Sequence, residues 1–349
     1  MQGGMPFRVE AWIPIGDLGS VNVYAFTEGP TTVLVDSGMF SGKSVYTLLK
    51  GLRRFGVDPR SLERVVVTHY HVDHLTGAAI LCEALGAELM LARGDLELLL
   101  HVGVEQYFRG ALELLALAGT PRTVLEEIAR SSPAVRVAEA YGAVAELSPK
   151  PLGEGDRIGM PGHGYYLVME TPGHTPGHIV LVSHGRRKVL LGDTVLPGIT
   201  PHVSLHSLDS DPLGDYLSSL SRIAREMDGY QGLPGHGDPI KDVATRTREL
   251  IAHHVDRLGE IVNILGKIGK ATAFEVAQRV RWRGAENWGS LPPLGKYLAL
   301  GETLSHLRRL EVLGVVERLE AGGRLQWRLA VNSLDTSRIV RRLGVEALK

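Results

Sequence analysis

Apolar residues recur at two spacings along this chain, two apart in some stretches and three or four apart in others. "RVEAWIPI" (8–15) alternates, "SVNVYAF" (20–26) follows Gly19, and "TTVLVDSG" (31–38) is a β-branched run closed by a turn, so three strands are predicted. "SVYTLLKGLRRFG" (44–56) changes to helical spacing and stops at Gly56. "RVVVTH" (64–69) is a further strand, "GAAILCEALG" (77–86) a helix and "AELMLA" (87–92) a strand. Strands resume with "YYLVMETPGH" (165–174), "HIVLVSH" (178–184) and "KVLLGDTV" (188–195), followed by the helical "GDYLSSLSRIARE" (214–226). Strand, helix and strand in alternation predict an α/β layered fold.

Residues 94–150 break that rhythm with Leu-rich helical segments, read as an insertion that could roof a site or simply enlarge the core. A long helical stretch at 238–267 marks the predicted boundary between a catalytic domain, 1–250, and a second domain, 251–349. In the latter, "TAFEVAQRV" (272–280) opens with a capping-box pattern, Thr272 to Glu275. "GETLSHLRRLEVLG" (301–314) is a second helix, with Leu304, Leu307, Leu310 and Leu313 inward and Glu302, His306, Arg308, Arg309 and Glu311 outward. A strand, turn and strand complete residues 315–330. Helix, helix and hairpin is the order of a winged helix.

Composition changes this picture little. The 349 residues are 44% hydrophobic and 22% charged with a formal net charge of −1, which suits a folded core and singles out no partner class. The charge is uneven, however: residues 251–349 hold 16 Lys/Arg against 10 Asp/Glu, leaving 22 against 29 for the rest. A basic second domain raises the question of a polyanionic partner, or of a symmetry mate in a homodimer. The single cysteine, Cys82, excludes an internal disulfide and a Cys-rich zinc site, and its apolar setting makes it a structural thiol. Neither a signal-peptide pattern nor an apolar run of membrane-spanning length is present, so the chain reads as cytoplasmic and without membrane contact.

The chemistry gathers in "RVVVTHYHVDHLTG" (64–77), where His69, His71, Asp73 and His74 fall within six positions. In an extended loop His69 and His71 share a side, while Asp73 and His74 diverge towards a second point. Imidazoles suit zinc and similar ions, and one ion needs only three or four ligands, so four ligands aimed two ways suggest two ions. His174 in "METPGHTPGH", Asp193 in "VLLGDTV" and His236 in "GLPGHGDP" each follow an apolar strand, where α/β sheets commonly keep ligands. His202, in "GITPHVSLHS" soon after Asp193, is the candidate for contact with substrate.

These residues resemble the signature of the metallo-β-lactamase-fold hydrolases, H-x-H-x-D-H followed by separate His, Asp and His motifs. The early "VLVDSG" strand end is part of the match. The resemblance implies one ion on His69, His71 and His174, another on Asp73, His74 and His236, and Asp193 bridging them. It makes Asp36 a group that orients the site from behind, and the first histidine of "HTPGH", not His178, the ligand. The implied fold is a four-layer αββα sandwich. "TPGHTPGH" resembles the glyoxalase II-like members, and the C-terminal part resembles the winged-helix group that includes beta-lactamase-like protein 2.

The expected cofactors are two zinc ions, with iron or manganese as alternatives, holding a bridging hydroxide for hydrolysis. Asp73 is the residue expected to accept or relay the proton. No P-loop, dinucleotide fingerprint or nucleophile elbow offers another chemistry. Three functions follow: hydrolysis of a small-molecule ester, thioester or lactone; cleavage of single-stranded RNA or another phosphodiester; or a metal-sensing DNA-binding regulator. The mixed charge of the second domain predicts only weak nucleic-acid binding.

Overall fold

A computed structural model describes residues 5–15, 18–131 and 138–330. Parts of the expected insertion (132–137) and of the expected second domain (331–349) lie outside the described residues. The chain divides into two compact units that do not follow sequence order. The first comprises Met1–Val104, Arg136–Pro201 and Ile223–Arg246, and the second comprises Glu105–Val135, His202–Arg222 and Thr247–Lys349, each over its described residues.

The first unit is a mixed α/β sandwich. One sheet has six strands in the order β1 (Phe7–Trp12), β2 (Ser20–Glu28), β3 (Thr31–Val35), β4 (Leu62–Val67), β5 (Glu88–Ala92) and β6 (Lys150–Leu152). The other contains β7 (Arg157–Met160), β8 (Gly164–Glu170), β9 (Ile179–Ser183), β10 (Lys188–Gly192) and β11 (Gln231–Pro234), arranged β11-β10-β9-β8-β7. Pairing from β3 to β6 is parallel. Parallel central strands are covered on both faces, which explains the fully buried run Val65, Val66 and Val67 in β4.

The inner faces meet in one core. Tyr24, Phe26, Val33, Val35 and Val66 from the larger sheet pack with Ile158, Tyr166, Val168, Ile179, Leu181, Leu190 and Leu233 from the smaller. Each such burial contributes about 1.5–3 kcal/mol against exposure. On the outside of the larger sheet, the helix Gly42–Arg54 buries Val45, Leu48 and Leu52. Its Ser41 cap accepts the Ser44 N–H, and Gly56 ends it at φ 75°. Cys82 is buried on the helix Ala78–Leu85, and burial pushes its thiol up to about 12, as a structural cysteine requires.

In the second unit, β12 (Lys270–Ala271), β13 (Val316–Ala321) and β14 (Arg324–Leu329) form a sheet in the order β12-β14-β13. The capping box at Thr272 is formed in full by Glu275 and opens the helix Ala273–Ala277. The longer helix Pro293–Val312 buries Leu304, Leu307 and Leu310 completely, while Leu313 beyond its end is half-buried. His306, expected outward, is 0% exposed. This helix is covered on more than one side, so a single apolar stripe underestimates its buried surface. The insertion helix Arg122–Ser131 packs against it, with Glu127 and Lys296 paired at 3.0 Å. Among the described residues, no helix is long and apolar enough to cross a membrane.

Candidate metal centre

The seven candidate ligands lie just beyond strand ends in the first unit. His69, His71, Asp73 and His74 follow β4, His174 follows β8, Asp193 follows β10 and His236 follows β11. β8 and β10 both run antiparallel to β9, and β11 runs parallel to β10, so these three strands end at one edge of their sheet. Three overlapping groups result: His69, His71 and His174; His69, His74 and Asp193; Asp73, His74 and His236. Within each group the ligand atoms lie within 4.8 Å of one another.

Hydrogen bonds behind the imidazoles decide which nitrogen faces inward. His236 Nδ1 donates to the Ser20 carbonyl at 2.8 Å, and His74 Nδ1 donates to Asp36 Oδ2 at 2.8 Å. Thr68 Oγ1 donates to the Asp36 carboxylate and so accepts from His69 Nδ1, at 3.0 Å. Each bond turns Nε2 into the cluster, where it presents a lone pair whenever the ring is neutral. Asp36 thus braces two imidazoles, and it adopts φ 64°, a left-handed conformation that aspartate tolerates better than most residues.

The inward atoms suit cations. His74 Nε2 lies 3.4 Å from His236 Nε2, and His69 Nε2 lies 3.1 Å from His71 Nδ1. Ligands roughly 2.0–2.1 Å from a shared tetrahedral ion stand roughly 3.4 Å apart. Asp193 Oδ1 is 3.5 Å from His74 Nε2, while its Oδ2 is 3.5 Å from His236 Nε2 and 3.8 Å from His174 Nε2. Buried Asp193 Oδ1 has no hydrogen-bond partner among the described residues, a costly arrangement unless a cation satisfies it. Gly235 leaves room for this packing: a Cβ there would come within 2.4 Å of Asp193 Oδ1 and 2.6 Å of His74 Cε1.

Charge balance points the same way. Burial opposes charge on His74, yet Asp193, Asp36 and Asp73 outweigh it and hold the imidazole well above its ordinary value. Burial likewise disfavours charge on His236, but Asp193 and Asp73 raise it to about 10. Asp73 falls to about 2 because His74 and His236 overcome the effect of its own burial. Burial first, then neighbouring histidines, keep His69 and His71 well below their usual range. Without metal, protons on His74 and His236 must balance the carboxylates; a cation would take their place.

His178 joins none of these groups, nor do His101, His163, His206, His253, His254 or His306 among the described residues. Its Nε2 accepts the Asp193 backbone N–H at 3.1 Å, leaving Nδ1–H to face the Thr171 and Thr194 hydroxyls at 2.9 and 2.8 Å. His202 lies in the second unit and hydrogen-bonds to Ser204.

Two residues escaped the sequence reading. Asp95, 0% exposed, accepts N–H bonds from Tyr70 and Gly177 and a hydroxyl bond from Thr175. It occupies the same kind of position as the ligands, just past the end of β5, which was the available signal. Tyr141, on the helix Ala138–Glu146, is buried, and burial followed by the charges of Asp73 and Asp95 pushes its phenol upward. No local pattern marks it.

A family model described as the metallo-beta-lactamase superfamily matches residues 16–236. This chain belongs to the metallo-beta-lactamase superfamily. Its His/Asp cluster has the make-up of a metal site, and it is a hydrolase of that superfamily. Among superfamily relatives, "Probable metallo-hydrolase YqjP" of Bacillus subtilis (strain 168) is 27% identical over 310 residues, covering 84% of this chain and 88% of its own. The crystal structure of metallo-beta-lactamase family protein TTHA1429 from Thermus thermophilus superposes with a TM-score of 0.75 at 26% identity, covering 94% of this chain and 99% of that one. A beta-lactamase domain protein from Burkholderia ambifaria gives a TM-score of 0.75 at 25% identity, covering 93% and 92%.

Proposed function

We propose that this superfamily hydrolase uses two metal ions, zinc foremost, to cleave a small-molecule ester, thioester or lactone. The observation that carries the two-ion reading is the placement of Asp193. One of its oxygens faces His74 and the other faces His236 and His174, so it connects both sets of imidazoles. His69, His71 and His174 would hold one ion, and Asp73, His74 and His236 the other. When bound, the ions supply an activated water nucleophile and polarise the acceptor oxygen of the substrate. Asp73, buried and kept ionised beside His236, is the group suited to take or relay a proton. Asp36 and Thr68 hold His74 and His69 so that these rings need no reorientation during turnover.

The preference for a small substrate over a nucleic acid rests on the second unit, read as a winged helix in a chain with an αββα-type body. Its basic side chains are largely paired. Arg309 meets Asp211 at 2.9 Å, Arg257 meets Glu260 at 2.7 Å, Arg308 and Arg318 share Glu311, and Arg328 bonds Glu317. Arginines engaged in this way offer few free contacts for phosphates. The unit then serves as a docking or dimerisation module.

The test is a panel assay of purified, zinc-loaded protein on esters, thioesters, lactones and single-stranded RNA. Turnover of one of the first three, abolished by chelation and restored by metal, is the expected result. RNA cleavage alone would replace this reading with a nuclease. No turnover, with tight duplex DNA binding that depends on metal, would favour a regulator.

A further inference from the structure

We propose that Asp95 is a positioning residue for one half of the centre: it sets His71 and His174 relative to each other and thereby governs the affinity of the ion they hold with His69. The other half, Asp73, His74 and His236, does not depend on it. This inference rests on the metal-centre reading above.

The geometry is specific. Asp95 Oδ2 accepts the Tyr70 N–H at 2.8 Å and the Thr175 hydroxyl at 2.8 Å, while Oδ1 accepts the Gly177 N–H at 2.6 Å. Tyr70 lies between His69 and His71, and Thr175 follows His174 directly. One planar carboxylate therefore grips the neighbour of a ligand on each of two loops that are about a hundred residues apart in sequence. None of its three hydrogen bonds reaches residues 72–74 or 236.

The segments carrying Asp95 and Gly177 are closely packed. A Cβ on Gly177 would lie 2.1 Å from Asp95 N and 2.8 Å from its Oδ1. A Cβ on Gly94 would lie 3.0 Å from Gly177 Cα. The two segments thus cross in backbone contact, which only small residues permit. Burial pushes the Asp95 carboxyl up to about 6, opposed by its bonds to Thr175, Tyr70 and Gly177. A neutral apolar side chain would avoid that penalty, so the acid's contribution lies in its two acceptor oxygens. Residues that orient metal ligands in this way typically change metal affinity by about 10–100-fold when replaced.

The test compares the full-length wild type with Asp95→Asn, Asp95→Ala and Thr175→Val. Zinc is titrated against a chromophoric chelator, cobalt(II) absorbance is recorded on each protein, and amide exchange is followed at Tyr70 and Gly177. Asp95→Ala should keep one equivalent at wild-type affinity and weaken the other by about 10–100-fold, with half of the cobalt spectrum altered. Asp95→Asn keeps the shape but loses an acceptor, so it should fall between Asp95→Ala and Thr175→Val, which loses one donor only. Both amides should exchange faster in the Asp95 variants, with or without metal. Should Asp95→Ala not fold, the other two variants carry the test. Equal weakening of both equivalents, unchanged affinities or unchanged exchange would each overturn the proposal. If the wild type itself takes up no metal while exchange rises as expected, the metal-centre reading and the affinity claim fall, and Asp95 keeps its role in pinning the loops.

Discussion

His178 Nε2 accepts the backbone N–H of Asp193 at 3.1 Å. A histidine that gives no atom to the cluster therefore fixes the backbone of the carboxylate that connects its two sides. Of the two histidines in "HTPGH", only His174 joins the clustered groups.

Asp193→Ala should lower activity by orders of magnitude with the fold retained, because both sets of imidazoles lose their common partner. His178→Ala should cost less, about 10–100-fold, by letting Asp193 drift while removing none of the candidate ligands. Steady-state kinetics with metal analysis separates the two. Loss of metal in His178→Ala equal to that in a His174→Ala variant would make His178 a ligand and overturn the assignment.

Metal uptake should release protons and strengthen as pH rises. In the metal-free protein His74 sits well above its ordinary value and His236 is raised to about 10, so both carry protons at neutral pH that a cation must displace. Protein purified without chelator should hold about two equivalents of transition metal per chain. Zinc titration of the stripped protein in weak buffer should acidify the solution, and affinity should decline from about pH 8 to about pH 5. Full activity in a protein that stays metal-free would end the hypothesis.

Acid should destabilise the second unit through a buried histidine pair. His306 Nδ1 donates to the Glu302 carbonyl at 2.7 Å, so its Nε2 accepts from His254 Nδ1 at 3.2 Å and both rings are neutral. Burial lowers His306 to about 3 and carries His254 well below the ordinary 6.5. At these two rings the unfolded chain therefore binds more protons below about pH 6.5, and their contribution to stability is lost as pH falls through that value. For His306 alone this amounts to about 2 kcal/mol between about pH 7 and about pH 5. Burial raises the Glu302 carboxyl to about 7, and its proton uptake in the folded state opposes this loss over the same range. Urea unfolding of Glu302→Gln at the two pH values therefore isolates the histidines, and a midpoint that does not fall with acid in that variant would contradict the pairing.

Nucleic-acid binding by the full chain should be weaker than micromolar at near-physiological salt and should fall steeply as salt increases. The ion pairs of Arg257, Arg308, Arg309, Arg318 and Arg328 occupy groups that would otherwise meet phosphates. Fluorescence anisotropy with random RNA and duplex DNA decides this. Sub-micromolar binding would move the nuclease reading to first place.

Strands β2, β3, β8, β9 and β10 were legible because their apolar stretches run up to Gly, Pro or Asp, and β4 because of its β-branched run. His69, His71, Asp73 and His74 and the separate His174, Asp193 and His236, which the fold brings into three groups able to hold a cation, were legible as a cluster because they are rare side chains gathered just beyond strand ends. β6, β7 and β12 are two to four residues long and carry no pattern of their own. Asp95 was missed because a lone acidic residue after a strand differs from a surface turn only by the loops that fold over it. His306 was misplaced because helical spacing identifies one buried face, and the helix Pro293–Val312 buries more than one.

Asp36 accepts from His74 directly and from His69 through the Thr68 hydroxyl. Substitutions at 36, 68, 69 and 74 are therefore not independent events. A double-mutant cycle between Asp36 and Thr68 should show strong non-additivity, since removing either breaks the same relay. Such coupling means that a change at Asp36 alters the background against which any further change at Thr68, His69 or His74 takes effect.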